Sequence, residues 1–258
     1  MFDVRKHWDQ VAKNIEARKD EEKLAGYDSL LDRKIRERFL EILRSLNFND
    51  KKVIELGCGT GLNMLELSKQ NPSRLMGLDI SKNMIAIASE TVNSNTDKRF
   101  EFLQIDGENI PLEERSFDIG ITVTVLQHNS NNEMLSRLSS NFAKIITERL
   151  YIFEDTAKKT RGTEDYVLRS IDQYRGIFES NGFSMIDVVI VKMYFTQKVF
   201  SLINRIFGLY AKTEGAAAPR ILIFIQTLTY PLTRFLDRLI KSNEGLTMMV
   251  FERRKESQ

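Results

Sequence analysis

The sequence is poor in the residues that build metal sites and disulfide bonds. Its 258 residues include one cysteine, Cys58, and two histidines, His7 and His128. A single cysteine forms no internal disulfide, and three such residues far apart in sequence do not make a zinc site. The sequence therefore predicts no metal site and favours a reducing, cytoplasmic compartment.

Strong net charge and long apolar runs are also missing. Lys and Arg number 38 against 36 for Asp and Glu, which gives a net charge of +2. A dedicated nucleic-acid binder usually carries a larger basic excess, so no nucleic-acid partner is expected. The polar N-terminus contains no signal-peptide core. The apolar stretch 216–232 is interrupted by Pro219, Arg220 and Pro231. It is therefore too short and too polar for a membrane-spanning helix.

What the chain does contain is a regular alternation of short apolar runs and amphipathic stretches. Helical stretches between strands predict βαβ crossovers, and therefore an α/β fold with a doubly wound, mostly parallel sheet and helices on both faces. A helix from Tyr166 to Ser180, closed by Asn181 and Gly182, is expected before the sixth strand. The runs that we interpret as strands are 51–56, 74–79, 100–105, 117–125, 149–154, 185–191 and 246–251.

We interpret the chain as one domain, residues 1–258, with four parts. The first part is helical because apolar residues recur at steps of three and four between Leu30 and Leu46. The four parts are a helical arm or lid at 1–48, a core at 49–193, a helical insertion between strands six and seven at 194–243, and the last strand and tail at 244–258.

The strongest local signal is a run of glycines directly after the first strand. Gly57, Gly59 and Gly61 stand between that strand and a helical stretch. Bare backbone at such a turn lets a ligand approach closely. The spacing lacks the third glycine of a dinucleotide fingerprint and the lysine of a P-loop. Asp79 stands at the end of the second strand, where an acidic side chain can accept hydrogen bonds from ribose hydroxyls.

Together these residues resemble the class I S-adenosylmethionine-dependent methyltransferases, and most closely their small-molecule branch. The resemblance rests on Glu55-x-Gly57-x-Gly59-x-Gly61, on Asp79, on Asp106-Gly107 after the third strand, and on the fourth-strand segment 116–128. It covers about residues 48–195. It implies a seven-stranded Rossmann-like sheet with an antiparallel last strand, and S-adenosylmethionine as the cofactor.

The resemblance also implies a role for each matching residue. Asp79 would hold the ribose hydroxyls, while Ile80 and Met84 would flank the adenine. Asp106 would meet the adenine amino group, and Thr122 would approach the sulfonium through its backbone. The cofactor-binding residues expected from the resemblance are Glu55, Gly57, Cys58, Gly59, Gly61, Asp79, Ile80, Met84, Asp106, Gly107 and Thr122.

His128 and Gln127 are the candidate catalytic residues. Methyl transfer needs a base only where the nucleophile must lose a proton, as a hydroxyl must. His128 follows the fourth strand, at the carboxyl edge where open α/β sheets bind ligands, and imidazole suits proton removal near neutral pH. Gln127 could orient the acceptor, or both residues could simply pack at the sheet edge. Glu154 and Asp155 beyond the fifth strand could bind an amine, act as a base, or be solvated.

The predicted function is methyl transfer from S-adenosylmethionine to a small-molecule or lipid-like acceptor. O-methylation of a sugar or metabolite hydroxyl is preferred because it gives His128 a chemical role. One alternative is C- or N-methylation of a quinone, polyketide or amino-sugar. Another is a protein that binds the cofactor without turnover.

The insertion, residues 194–241, has three possible roles. It could roof the substrate pocket, form a homodimer interface, or make a peripheral membrane contact that would place a cytoplasmic protein at a membrane surface. The cations that flank its apolar stretches are Arg205, Lys212, Arg220, Arg234, Arg238 and Lys241.

Overall fold

The computed structural model describes residues 3–18, 24, 29–92, 97–191, 193–207, 218–239 and 244–255. Two helices come first, in the stretch predicted to be a helical arm. They are α1, Val4–Ala17, and α2, Leu30–Ser45. Strands and helices then alternate as β1 Lys52–Leu56, α3 Leu62–Ser68, β2 Arg74–Asp79, α4 Lys82–Thr91, β3 Phe100–Gln104, β4 Phe117–Val123, α5 Asn132–Lys144 and β5 Ile146–Thr156.

The second half of the chain is less regular. Its elements are β6 Arg161–Gly162, β7 Val167–Leu168, α6 Ile171–Glu179, β8 Phe183–Ile190, α7 Tyr194–Phe207, α8 Arg220–Leu239 and β9 Gly245–Arg253. The predicted helix start at Tyr166 is wrong, because β6 and β7 pair there as an antiparallel ribbon. Helix α6 begins only after Ser170, whose side chain accepts a hydrogen bond from the backbone N–H of Gln173.

Seven strands form one sheet in the order β3-β2-β1-β4-β5-β9-β8. The strands from β3 to β5 are parallel, and β9 is antiparallel to both β5 and β8. The predicted doubly wound sheet with an antiparallel last strand is therefore confirmed. The strand order reverses between β1 and β4, which is the point where open α/β sheets bind ligands.

Both faces of the sheet are buried. Val53 and Ile54 are adjacent in β1 and completely buried, yet they belong to hydrophobic clusters on opposite faces. Side chains alternate across a strand, so a central strand that is covered on both sides is apolar at most positions. This explains why Val53, Ile54 and Leu56 are all apolar, with Glu55 as the exception in β1.

Helix α1 packs against α4 in front of the carboxyl edge of the sheet. Val11, Ala12 and Ile15 of α1 form a small buried cluster with side chains of α4. The Ser81 hydroxyl donates a 2.6 Å hydrogen bond to Asp9 Oδ1, which ties α1 to the start of α4. The arm is thus docked beside Ser81, two residues after Asp79.

Helices α7 and α8 lie antiparallel and pack against α2. Asp237 near the end of α8 accepts a 2.7 Å hydrogen bond from the backbone N–H of Phe195 at the start of α7, and Gln226 donates to Asn204. Residues 208–217 and 240–243 of the predicted insertion lie outside the described residues. Across the described helices, none combines the length and apolar character needed to cross a bilayer.

Candidate cofactor and acceptor site

A cavity of about 150 Å³ lies at the carboxyl ends of the parallel strands. Its walls come from the loops after β1, β2, β3 and β4, and from α1 and α5. This is the edge at which the sequence places the candidate residues. The predicted site residues that line the cavity are Gly57, Gly59, Asp79, Ile80, Met84, Gly107 and His128.

Asp79 presents a buried carboxylate to this cavity. Its Oδ1 accepts a hydrogen bond from the backbone N–H of Ser81, and its Oδ2 accepts one from Gly59, each at 2.9 Å. A carboxylate has about four lone-pair sites, so these two bonds leave capacity for ribose hydroxyls. Burial raises the pKa of Asp79 to about 6, against the opposing effect of the backbone hydrogen bonds.

The glycines leave room that side chains would fill. Gly57 has φ +71°, and a Cβ there would lie 2.2 Å from Val125 Cγ2. A Cβ on Gly107, which has φ +94°, would lie 3.0 Å from the end of Ile80. Together with the apolar wall of Ile80 and Met84 and the carboxylate of Asp79, this bare backbone suits the nucleoside and amino-acid parts of S-adenosylmethionine.

The other predicted residues do not line the cavity. Gly61 caps α3 with φ +80°, and Thr122 is buried within β4. Cys58 packs its Sγ so close to Gly77 that a Cβ on that glycine would lie 2.8 Å from the sulfur. Burial raises the pKa of the Cys58 thiol, so this side chain is a buried filler and not a nucleophile.

Asp106 is exposed and its carboxylate is already occupied. Oδ1 accepts hydrogen bonds from the backbone N–H groups of Glu108 and Asn109, at 2.8 and 2.7 Å, and Oδ2 accepts one from the Asn109 side chain. The backbone N–H of Asn109 contributes most to lowering the pKa of Asp106 to about 2. Asp106 therefore shapes its own loop, and its contact with adenine stays a prediction that this geometry does not support.

Glu55 lies under the glycine turn, away from the cavity. Its Oε1 accepts a 2.7 Å hydrogen bond from Asn63, and Arg36 of α2 in turn donates to Asn63 at 2.9 Å. Its Oε2 is buried and has no hydrogen-bond partner among the described residues. Burial is the main reason that the pKa of Glu55 is raised to about 8.

This raised pKa predicts how folding stability depends on pH. A carboxyl group whose folded pKa is raised contributes stability below its unfolded pKa of about 4.5 and loses it as the pH rises to about 8. We expect the free energy of unfolding to fall between pH 5 and pH 8. We expect Glu55→Gln to reduce that fall by about 2–4 kcal/mol, because the amide keeps the acceptor for Asn63 without the charge. Urea unfolding at both pH values measures the difference.

Glu66 provides a control because its pKa is shifted in the opposite direction to that of Glu55. Its hydrogen bond to Arg44 lowers the pKa of Glu66 to about 2, so the stability it contributes is present above pH 4.5 and is lost as the pH falls towards 2. Glu66→Gln should therefore lower the free energy of unfolding at pH 8. An unchanged pH dependence in Glu55→Gln would contradict the assignment of a buried, poorly solvated carboxyl.

His128 lines the cavity from the 3₁₀ turn Leu126–His128. Its Nδ1 lies 3.1 Å from the backbone carbonyl oxygen of Asp165. A carbonyl oxygen can only accept, so Nδ1 carries the proton and Nε2 is the basic nitrogen of the neutral ring. The Trp8 ring of α1 packs edge-on against the imidazole, with 5.1 Å between ring centroids.

The turn that carries His128 is held on both sides. The buried carboxylate of Glu154 accepts hydrogen bonds from the backbone N–H groups of Val125, Leu126 and Gln127, at 2.9–3.1 Å. The Arg169 guanidinium donates to the carbonyl oxygen of Leu126 at 3.1 Å and to that of residue 129. Burial raises the pKa of Glu154 to about 8. Glu154 is thus a positioning residue. Sequence reasoning missed Arg169, which belongs to no motif.

Gln127 is tied to β5 and does not line the cavity. Its side-chain oxygen accepts a 3.0 Å hydrogen bond from the backbone N–H of Asp155. Only 3% of Gln127 is exposed. The role of Gln127 in orienting an acceptor stays a prediction that its position does not support. Asp155 itself accepts a hydrogen bond from Tyr166, whose ring centroid lies 5.6 Å from that of His128.

The roof of the cavity comes from α1. Val4 and Trp8 line it, whereas no described residue of α7 or α8 does. The described helices of the insertion pack against α2 instead, and a role of the insertion as a roof over the substrate pocket stays a prediction that their position does not support. Trp8 and Val4 give the arm the position of a lid.

Comparison with known sequences identifies the central part of the chain. Residues 53–148 match the methyltransferase domain family. A demethylmenaquinone methyltransferase of Lactococcus lactis is 39% identical over 69 residues, which cover 26% of this chain and 27% of that protein. A tRNA U34 carboxymethyltransferase of Pseudoalteromonas atlantica is 27% identical over 132 residues, which cover 50% of this chain and 38% of that protein. The matched segments of the curated relatives span between 27% and 60% of those proteins.

Solved structures share the fold over nearly the whole chain. The cyclase SpnF superposes with a TM-score of 0.64 at 15% identity, covering 97% of this chain and 95% of that one. Magnesium protoporphyrin IX methyltransferase from Synechocystis with bound S-adenosylmethionine gives a TM-score of 0.61 at 16% identity, covering 98% and 99%. Residues 53–148 are thus a methyltransferase domain, and the sheet order agrees with the fold of the S-adenosylmethionine-dependent methyltransferases among these structures.

Proposed function

We propose that this protein transfers a methyl group from S-adenosylmethionine to a hydroxyl of a small or lipid-like acceptor. The observation that carries the proposal is the position of His128. It lines the same cavity as Asp79 and the glycine turn, and its Nδ1 is hydrogen-bonded to a backbone carbonyl oxygen. That bond makes Nε2 the basic nitrogen, as removal of a hydroxyl proton requires.

Each group at the cavity has a defined task in this reaction. When bound, S-adenosylmethionine supplies a methyl group activated by the positively charged sulfur. Asp79 accepts hydrogen bonds from the ribose hydroxyls. His128 Nε2 would take the proton of the acceptor hydroxyl while its oxygen bonds to the methyl carbon and the bond from that carbon to sulfur breaks, with S-adenosylhomocysteine as the leaving group. Glu154 and Arg169 keep the turn of His128 fixed, so the imidazole stays within hydrogen-bond reach of the acceptor hydroxyl.

The lid completes the site by excluding water. Val4 and Trp8 cover the cavity, and the edge of Trp8 also restrains the His128 ring. Holding the reactants in line inside such a site can supply about 7–11 kcal/mol of the barrier reduction. Met134 and Leu138 of α5 add apolar surface to the same walls, which favours an acceptor with an apolar part.

A second candidate is methylation at carbon. It is favoured by the matched segment of the demethylmenaquinone methyltransferase, whose name indicates a quinone substrate, and by the apolar walls of the cavity. An aromatic carbon of a quinol or a nitrogen nucleophile depends less on a base, so this reaction would use His128 chiefly for positioning.

The proposal is tested by identifying the methylated atom. Purified protein is incubated with S-adenosylmethionine carrying a ¹³C-methyl group and with separate metabolite, lipid and RNA fractions. We expect a ¹³C signal at the chemical shift of a methoxy group, in the metabolite or lipid fraction. A methyl group on carbon or nitrogen would replace O-methylation by the second candidate, and labelled RNA would refute the small-molecule assignment. Binding of S-adenosylhomocysteine without labelling of any fraction would indicate a protein that binds the cofactor without turnover.

A further inference from the structure

The outer face of α8 is apolar along its whole length. The spacing of its exposed side chains by three and four residues places them on one face of the helix. They form a strip about 27 Å long at 1.5 Å per residue. This apolar strip consists of Ile221, Phe224, Leu228, Leu232, Phe235 and Leu239, which are 55–66% exposed.

The inner face of the same helix carries three polar side chains beside the buried Leu222. Gln226, Thr233 and Asp237 are buried, with no more than 2% of each exposed. Asp237 accepts hydrogen bonds from two backbone N–H groups and from the hydroxyl of Thr196 in α7. A surface helix in water normally buries its apolar face and exposes its polar one. Helix α8 instead exposes an apolar face and buries mostly polar side chains, so its outer face is suited to apolar surroundings.

The charges of this helix pair have one sign on the outside. The only acidic residue of α7 and α8 is Asp237, whose carboxylate points inward to α7. None of the cations on these two helices forms an ion pair with a described residue. On α8, the arginines fall together on one flank of the apolar strip at 100° per residue. The cations are Lys198, Arg205, Arg220, Arg234 and Arg238.

We propose that α8 binds the surface of an anionic lipid bilayer through the apolar strip, with the flanking arginines at the headgroups. An apolar face bordered by cations and lacking exposed acids is typical of helices that lie in the membrane interface. The charges also distinguish this partner from a second copy of the chain. A symmetric dimer through the strip would bring two sets of unpaired cations together, whereas anionic headgroups neutralise them. The proposal does not rest on the proposed methyl transfer.

Flotation with lipid vesicles tests this docking without any cofactor or acceptor. Phosphatidylcholine vesicles with and without phosphatidylglycerol are mixed with the full chain. We expect binding only to the vesicles that contain phosphatidylglycerol. Arg234→Gln combined with Arg238→Gln should weaken it about 30-fold, the factor that corresponds to ~1 kcal/mol per cation near an anionic surface. Leu228→Ser combined with Leu232→Ser should weaken vesicle binding at least ~10-fold, because the apolar surface of two leucines is no longer buried in the bilayer.

Matched variants at other surfaces provide the controls. Ile186→Ser removes an apolar side chain that is 50% exposed on β8, and Lys144→Gln removes an exposed cation on α5. Both should bind vesicles like the parent. Absence of parent binding, or equal loss in the controls, would overturn the proposal. A concentration-dependent dimer that the two leucine substitutions dissociate, without vesicle binding, would assign the strip to a second copy instead.

Discussion

Asp79→Asn is expected to bind S-adenosylhomocysteine at least ~100-fold more weakly than the parent. The parent carboxylate can accept charge-assisted hydrogen bonds from two ribose hydroxyls, each worth about 1.5–3 kcal/mol. It also accepts the N–H groups of Gly59 and Ser81, and the amide of the variant must turn its NH₂ towards one of them. Because the pKa of Asp79 is raised to about 6, the affinity of the parent should also fall as the pH drops below 6.

Titration calorimetry and thermal unfolding measure this effect. At a ligand concentration 100 times the dissociation constant, binding adds ~2.7 kcal/mol, which raises Tm by about 5–11 °C for a domain of this size. The matched control is Asp106→Asn, which keeps the Oδ1 acceptor of its own loop. We expect its affinity to be near that of the parent. An equal loss of affinity in both variants would support the predicted contact between Asp106 and adenine. An unchanged affinity in Asp79→Asn would contradict the assignment of Asp79 to the cofactor site.

His128→Asn is expected to lower turnover by 10²–10⁴-fold, the usual contribution of a positioned base. The asparagine NH₂ can replace Nδ1 as the donor to the carbonyl oxygen of Asp165, so the turn keeps its hydrogen bond while the basic nitrogen is lost. Affinity for S-adenosylhomocysteine should change little. Single-turnover transfer of a labelled methyl group, measured beside calorimetry, separates the two quantities.

The second histidine supplies the control for this variant. His7 lies on α1 and its ring packs edge-on against Trp8, but it does not line the cavity. His7→Asn should therefore retain most of the turnover. A His128→Asn variant with parental turnover would show that the acceptor needs no base, which would favour methylation at carbon or nitrogen. Loss of cofactor affinity in His128→Asn would instead indicate a structural role for the imidazole.

The position of the glycine turn and of Asp79 at the cavity was predictable because their signals are local. Gly57 and Gly59 need positive φ, and Asp79 ends a strand, so a few neighbouring residues fix their geometry. Asp106 shows the limit of such reasoning. Its position in sequence is typical of the family, but Asn109 three residues later takes up the carboxylate in a turn of its own.

The second half was predicted less well because distant contacts decide it. The apolar residues from Tyr166 onward look helical, yet β7 pairs with β6 there to make a ribbon. Only Ser170 with its capping partner Gln173 marks the true helix start. In α8 the periodicity is correct, but it does not tell which face points inward. The buried hydrogen bonds of Asp237 decide the orientation, and their partners lie on another helix.

The sheet is assembled from two separate stretches of the chain. Residues 53–148, which match the methyltransferase domain family, contain β1 to β4 and the first residues of β5. Strands β8 and β9 follow after α6 and join the sheet only beside β5. During synthesis the strands around the cavity can therefore pair early, whereas the β5 edge is completed only after residue 253 has been added.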